Sequence, residues 1–396
     1  MKKEFLDLGR QPIANAFLNK EETNITDEYF YDLKIGFDEE TKLVSLVNFV
    51  DPPLMFNDSY VYHSSMSFTM RNHFEKASNH FKKMLNPKKV LEIGSNDGVF
   101  IKHFDPKNTF AVEPCGNFAE LTNKLGYKTY PNFWTRNLAE KIVDQNGKYD
   151  LVYSANCICH IQDLKDTFDA ASTILSDDGV FVFEDPSLVS VVTKNCYDQF
   201  YDEHAHIFSV LALQNLLKQS GLEIFNVEEV SVHGVSNRIY AKKSNNSNKK
   251  VQKSVLEVLE HEKRLGLDKL ETFVGFADRV YKSKKDLVEL LTNYKNENKK
   301  IVSYGATCKS VTVFNFCEIG TDLIDYVTDT TPSRQNKLIP GSHIPVVSPE
   351  IGFDETVDVA FLGAWNFANE ILSKESEYTK RGGVFVTHVP EVHVLR

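Results

Sequence analysis

The stretch Val90-Leu91-Glu92-Ile93-Gly94-Ser95-Asn96-Asp97-Gly98 reads as a buried strand running into a glycine-flanked turn that carries acids. In an open α/β sheet a ligand sits beyond the carboxyl end of such a strand, where glycines let the backbone approach and the next helix offers its N-terminus. About twenty residues on, Thr109-Phe110-Ala111-Val112-Glu113 is a second apolar run ending in an acid, well placed to hold a pair of ribose hydroxyls. A dinucleotide site asks for Gly-x-Gly-x-x-Gly, and Asp97 would repel a pyrophosphate. S-Adenosylmethionine has no phosphate and carries a sulfonium charge, so it fits better. Glu92, Gly94, Asn96, Asp97, Gly98 and Glu113 are the expected cofactor residues.

Three further polar spots could carry chemistry. In Ser154-Ala155-Asn156-Cys157-Ile158-Cys159-His160-Ile161, Asn156 could hydrogen-bond adenosine or substrate, and His160 could touch the methionine end or cap the next helix. Cys157-x-Cys159 is half a metal site at most, since alternate residues at a strand end usually face a core and a cleft. The densest cluster is Tyr201-Asp202-Glu203-His204-Ala205-His206. A histidine can take a proton near neutral pH and a tyrosine can give one to a developing oxyanion, so together they could enolise a ketone. Tyr201 and Glu203 point the same way if the segment is extended, Tyr201 and His204 if it is helical. The alternative is a solvated turn. In His233-Gly234-Val235-Ser236-Asn237-Arg238, Arg238 could grip a phosphate or carboxylate as a fork, or be a salt-bridge residue.

The elements that must position these residues follow from periodicity. Tyr31–Phe37 and Leu43–Phe49 alternate as strands of a small β-containing lobe, and 74–84 has helical spacing. Strands are expected near 88–93, 109–113, 150–155 and 180–184, separated by helices, as a doubly wound, Rossmann-like parallel sheet requires. A helix over 211–220 ends at Gly221, and 223–227 and 237–242 read as closing strands. The polar run Ser244–Lys250 reads as a linker, followed by charge-laced helices over 250–295. Strands near 300–306, 324–327, 358–362 and 383–387 then predict a second, smaller α/β domain. The expected division is a lobe over 1–75, a cofactor-binding domain over 76–243 and a C-terminal α/β domain over 244–396.

Composition bounds the rest. The 396 residues exceed one typical domain. With 42% hydrophobic and 25% charged residues, and no run near the ~18 to 20 apolar residues that span a bilayer, a membrane protein is not expected. The N-terminus has acids where a signal peptide needs an apolar core, so a cytoplasmic location is expected. A net charge of −10 disfavours nucleic acid as partner. Six scattered cysteines form no Cys-x-x-Cys pair, so neither a zinc ribbon nor a disulfide framework is expected. Oligomeric state has no signature.

With these residues in view, the chain resembles the S-adenosylmethionine-dependent sugar C-methyltransferases of deoxysugar biosynthesis, the mycarose-type 3-C-methyltransferases. The likeness runs through Asp7-Leu8-Gly9-Arg10-Gln11-Pro12-Ile13-Ala14-Asn15, Tyr60-x-Tyr62-His63-Ser64-Ser65, the 92–98 turn, Val112-Glu113-Pro114, Tyr201-Asp202-Glu203-His204 and His233-Gly234-x-Ser236-x-Arg238. It continues with Tyr304-Gly305-Ala306-Thr307-x-Lys309, Pro340-Gly341-x-x-Ile344-Pro345 and Ala364-Trp365-Asn366. The resemblance implies methylation of a carbon beside the ketone of a nucleotide-linked 4-keto deoxysugar lying between the central and C-terminal domains. It implies that His204 abstracts the α-proton with help from Glu203, and that Tyr201 and Tyr62 meet the enolate oxygen. It also implies that Ser64, Ser65, His233, Arg238, Tyr304, Lys309 and Asn366 face the substrate. Two departures stand out: the N-terminal zinc-binding cysteines of the family are absent, and Asp202 replaces the first histidine of its Tyr-His-Glu-His pattern. O- or N-methylation of a related metabolite, or a non-catalytic binding protein, are the alternatives; the intact Gly94, Asp97 and Glu113 speak against the last.

Overall fold

The computed structural model describes residues 2–20, 28–232 and 234–395. Its centre is a seven-stranded sheet. Numbered by their order in the chain, the strands are Val90–Ile93, Thr109–Val112, Lys128–Tyr130, Tyr149–Ala155, Leu175–Pro186, Leu222–Val230 and Ser236–Lys243, arranged 3-2-1-4-5-7-6. All run parallel except the last, which pairs antiparallel with both neighbours. The order reverses between Val90–Ile93 and Tyr149–Ala155, and a ligand crevice opens at such a switch point, beyond the carboxyl ends of the strands.

One face of this sheet is covered by helix Phe68–Leu85. Ser67 caps it by accepting from the Met70 amide, and Asn86 ends it in the left-handed region (φ 44). Its stripe of Met70, Phe74, Ala77 and Phe81 packs with Tyr153 and Tyr240. This helix crosses residue 75, so by packing the cofactor unit begins at Phe68 rather than at 76. The other face carries Arg136–Asn146, Leu164–Ile174 and Val210–Gln219.

The expected linker is an ordered turn. Asn246 is buried, donates to Asp177 O and accepts on its own backbone carbonyl from Lys242 Nζ. Beyond it, Lys253–Arg264 returns to the central sheet, with Val255 and Leu259 in the same core as Leu213 and Leu217. The chain leaves the central unit only after this helix.

A second sheet has the strands Ile301–Tyr304, Val327–Thr328, Val346–Val347, Val359–Leu362, Val384–Thr387 and His393–Leu395. By chain position its order is 3-2-1-4-5-6, parallel but for the last strand. The strand expected at 324–327 is shorter and later, at Val327–Thr328. The N-terminal lobe is a four-stranded sheet of Lys2–Pro12, Phe30–Asp38, Val44–Leu46 and His206–Ile207, so the segment following the 201–204 cluster is itself an edge strand of the lobe. The lobe and the C-terminal unit share one hydrophobic core through helix Leu270–Asn296, whose Phe273 ring lies 5.2 Å from Phe5 and 4.8 Å from Phe37. No helix among the described residues is long and apolar enough to cross a membrane.

Candidate functional site

A single cavity of about 1600 Å³ is bounded by the lobe's Asn15, the 51–70 segment, the switch point of the central sheet and the carboxyl ends of the C-terminal strands. Sites for one small molecule are usually ~300–1,000 Å³, so there is room for two ligands side by side.

At the central end, Gly94 (φ 71) turns the chain beneath Cys157, and a Cβ there would lie 2.6 Å from Cys157 Sγ. Only glycine allows this approach. Glu113 lines the cavity, and its two carboxylate oxygens accept from the amides of Asn96 (2.7 Å) and Cys115 (3.0 Å). Burial raises its pKa, and the amides oppose that rise. Each oxygen keeps a lone pair for a hydroxyl donor. Asn156 (φ 50) presents a buried Oδ1 with no partner among the described residues, and buried His160 Nε2 has none there either. Both line the cavity. Such orphaned atoms call for a ligand. Burial lowers the His160 pKa to about 3, so a neutral imidazole, which does not repel a sulfonium, faces this end. Gly94, Asn96, Glu113, Asn156 and His160 therefore fit S-adenosylmethionine.

Glu92, Asp97 and Gly98 were expected there too, but they stand behind the wall. The Glu92 side chain is buried near the Ile101 amide and the Glu113 and Asp97 carboxyls, and burial pushes its pKa well up. Gly98 (φ 77) packs towards Thr122. Asp97 Oδ2 accepts from the Ser65 amide at 3.1 Å, while Asn96 Oδ1 accepts from the Ser64 amide (2.9 Å) and Asn96 Nδ2 donates to Tyr62 O (2.9 Å). The turn thus latches the 60–65 segment over the cofactor end. Ser64 lines the cavity and Ser65 does not.

In the middle of the cavity the 201–204 segment is a turn, neither strand nor helix, closed by the His204 amide donating to Tyr201 O at 3.0 Å. His204 Nδ1 lies 2.7 Å from Gln199 O. A carbonyl only accepts, so Nδ1 carries the proton and Nε2 is the acceptor for the Tyr201 hydroxyl at 2.8 Å. Burial holds the Tyr201 pKa well above its usual value, and Tyr62 in the same cavity is pushed up to about 12. Glu203 turns to the lobe, where Oε1 accepts from Asn15 Nδ2 (2.6 Å) and Oε2 from the Tyr60 hydroxyl (3.0 Å). Asn15 and Tyr60 are partners that spacing alone did not single out. Cys159, His160 and His204 have ligand atoms within 4.8 Å of one another, yet both His204 nitrogens are already engaged.

At the C-terminal end Tyr304, Lys309 and Asn366 line the cavity. Arg334 joins them from the 329–335 loop, with Nη2 donating to Asn15 Oδ1 at 3.3 Å and Nη1 3.8 Å from Asp329. Nothing in the sequence marked it, because the strand before its loop is two residues long. Arg238 is a correction. On strand Ser236–Lys243 it lies between two acids in register, with Nε on Glu184 at 2.7 Å and Nη1 on Glu228 at 3.2 Å. It is a salt-bridge residue outside the cavity. His233 lies outside the described residues.

Family models match the chain in three segments. Residues 1–56 match the model of a putative zinc-binding domain, 70–227 a methyltransferase domain and 231–390 a C-methyltransferase C-terminal domain. The first match stands although the first cysteine of the chain is Cys115. The C-methyltransferase NovU of Streptomyces niveus is 30% identical over 99% of this chain and 94% of its own length. Among solved structures, an S-adenosylmethionine-dependent methyltransferase from Clostridium acetobutylicum is 19% identical, covering 43% of this chain and 91% of that one (TM-score 0.34). Magnesium protoporphyrin IX methyltransferase from Synechocystis is 14% identical, covering 44% and 87% (TM-score 0.33).

Proposed function

Because the chain belongs to the S-adenosylmethionine-dependent C-methyltransferases, we propose that it methylates the carbon beside the ketone of a nucleotide-linked 4-keto deoxysugar. The observation that carries this reading is the Tyr201–His204 pair, a basic imidazole nitrogen and a phenol hydroxyl 2.8 Å apart in a cavity large enough for cofactor and substrate together. Bound S-adenosylmethionine supplies an electrophilic methyl group.

The chain's own part is proton movement and charge stabilisation. His204 Nε2 takes the α-proton as the Tyr201 hydroxyl swings from it to the ketone oxygen. Tyr201 and Tyr62, both held in the protonated form by burial, donate to the enolate oxygen as its charge grows. Glu203, fixed by Asn15 and Tyr60, offsets the positive charge that develops on His204. Lys309 and Arg334 answer the charge of a diphosphate. A cytoplasmic enzyme follows from this reading, and six free thiols suit a reducing compartment.

The test is mass spectrometry of the protein with S-adenosylmethionine and nucleotide-linked 4-keto-6-deoxysugars in deuterated water. A product heavier by one methyl, with deuterium exchange at the neighbouring carbon, is expected. Methyl addition without exchange would shift the reading to O- or N-transfer, and no methylation across the panel would overturn the substrate class.

A further inference from the structure

The second sheet has its own switch point, between Ile301–Tyr304 and Val359–Leu362, and the segments that follow those two strands bring Lys309, in the first turn of helix Cys308–Cys317, and Trp365, in the turn Trp365–Phe367, into the cavity wall. Trp365 is held from several sides. Its Nε1 donates to Asp198 Oδ2 at 2.5 Å. Asp198 is fully buried on the segment Tyr197–Gln199, which packs into the core shared by the lobe and the C-terminal unit, with Nε2 of the buried His388 3.4 Å away. Gly234 (φ 87) closes on the indole so tightly that a Cβ would lie 2.6 Å from Cη2. The Lys309 ammonium stands 6.0 Å from the ring centroid. Burying a carboxylate is costly, and among the described residues Asp198 Oδ1 has no hydrogen-bond partner. Stability alone does not account for such an arrangement; fixing the plane of one cavity-facing indole does.

We infer that Trp365 is the platform on which the planar base of the nucleotide stacks, and that Asp198 is the positioning residue that sets its plane. The inference rests on the reading of the substrate as a nucleotide-linked sugar and adds where its base lies. A fixed aromatic face attracts a flat heterocycle through stacking and burial, largely whatever the pattern on its edge. Lys309, whose ammonium stands over the ring 6.0 Å from its centroid, leaves the other face for the base and then meets the phosphates. The glycine of the His233-Gly234 motif thereby gains a role: it makes room for the indole.

The chain has two tryptophans, so Trp134→Phe leaves Trp365 as the sole fluorescent reporter. Titrating that variant with UDP and TDP is expected to quench its emission. By calorimetry, Trp365→Ala is expected to weaken both nucleotides at least about tenfold, with Trp365→Phe close to the parent and S-adenosylhomocysteine affinity unchanged in both. Asp198→Ala is expected to weaken the nucleotides as well, while Asp198→Asn, which still accepts from the indole, keeps their affinity. If UDP and TDP bind Trp365→Ala as tightly as the parent, the platform is wrong and the substrate class stands. If UDP, TDP, ADP and GDP all fail to bind a parent protein that binds S-adenosylhomocysteine, the substrate reading falls and the platform with it.

Discussion

Gly94 is excluded from carrying a side chain twice over, by its positive φ and by Cys157 Sγ at 2.6 Å from where a Cβ would go. Gly94→Ala is expected to lower S-adenosylhomocysteine affinity more than about tenfold by calorimetry; unchanged binding would remove the turn from the cofactor site. Residue type and spacing were enough to single out Gly94 and Glu113, both of which line the cavity, since a strand, a tight turn and a second strand are local features. They were not enough to aim Tyr201, Glu203 and His204, which a turn sends to two different places. Tyr201→Phe and His204→Gln are each expected to cut kcat by ~10²- to 10⁴-fold, measured as methyl transfer. The double variant is expected to be little worse than either alone, because the two side chains act as one unit. Additive losses would show that they act separately.

At the scale of elements, two buried charges show how helices and strands are held. Glu262 on Lys253–Arg264 accepts from the amides of Val210 and Leu211, both at 2.8 Å, at the start of Val210–Gln219. Burial raises its pKa from 4.5 to about 7, against the pull of those amides. Between these values the folded protein holds a proton that the unfolded chain has released. The stability gained from this group is therefore complete below 4.5 and lost as pH rises through about 7. Urea unfolding at several pH values from about 5 to 8 is expected to show a decline that Glu262→Gln flattens by on the order of 2–3 kcal/mol; equal slopes would contradict the raised pKa. Arg238 with Glu184 and Glu228 is the second case. Arg238→Met leaves Glu184 buried beside His73 without its permanently charged partner, and is expected to cost about 3–5 kcal/mol of stability. The KM for substrate is expected to stay the same, and a changed KM with little loss of stability would restore Arg238 to the site. From sequence, a fork that binds a ligand and a fork that pairs two strands look alike; the register opposite Glu184 and Glu228 decides between them.

For the whole molecule the cavity and the core are shared. Phe5 and Phe37 of the lobe pack on Phe273 of Leu270–Asn296, which in turn supports the C-terminal sheet. A fragment ending at Lys243 is expected to lack a cooperative thermal unfolding transition, because it exposes that core; a sharp transition would show that the lobe and the central unit fold without the rest. The sequence by itself determined that there are two α/β units, where most of their longer strands lie and the family to which the ordered motifs belong; it did not mark the short strands Lys128–Tyr130, Val346–Val347 and His393–Leu395. These rest on hydrophobic periodicity and on turn residues within a few positions of each other, and such information is local. Only the tertiary structure decided that helix Lys253–Arg264 belongs with the central sheet, that Asp97 latches the 60–65 segment rather than lining the cavity, and that Asn15, Glu203 and Arg334 meet. Those pairings join residues up to 319 positions apart in the chain, and their geometry is set by how separate sheets pack, which no local pattern encodes.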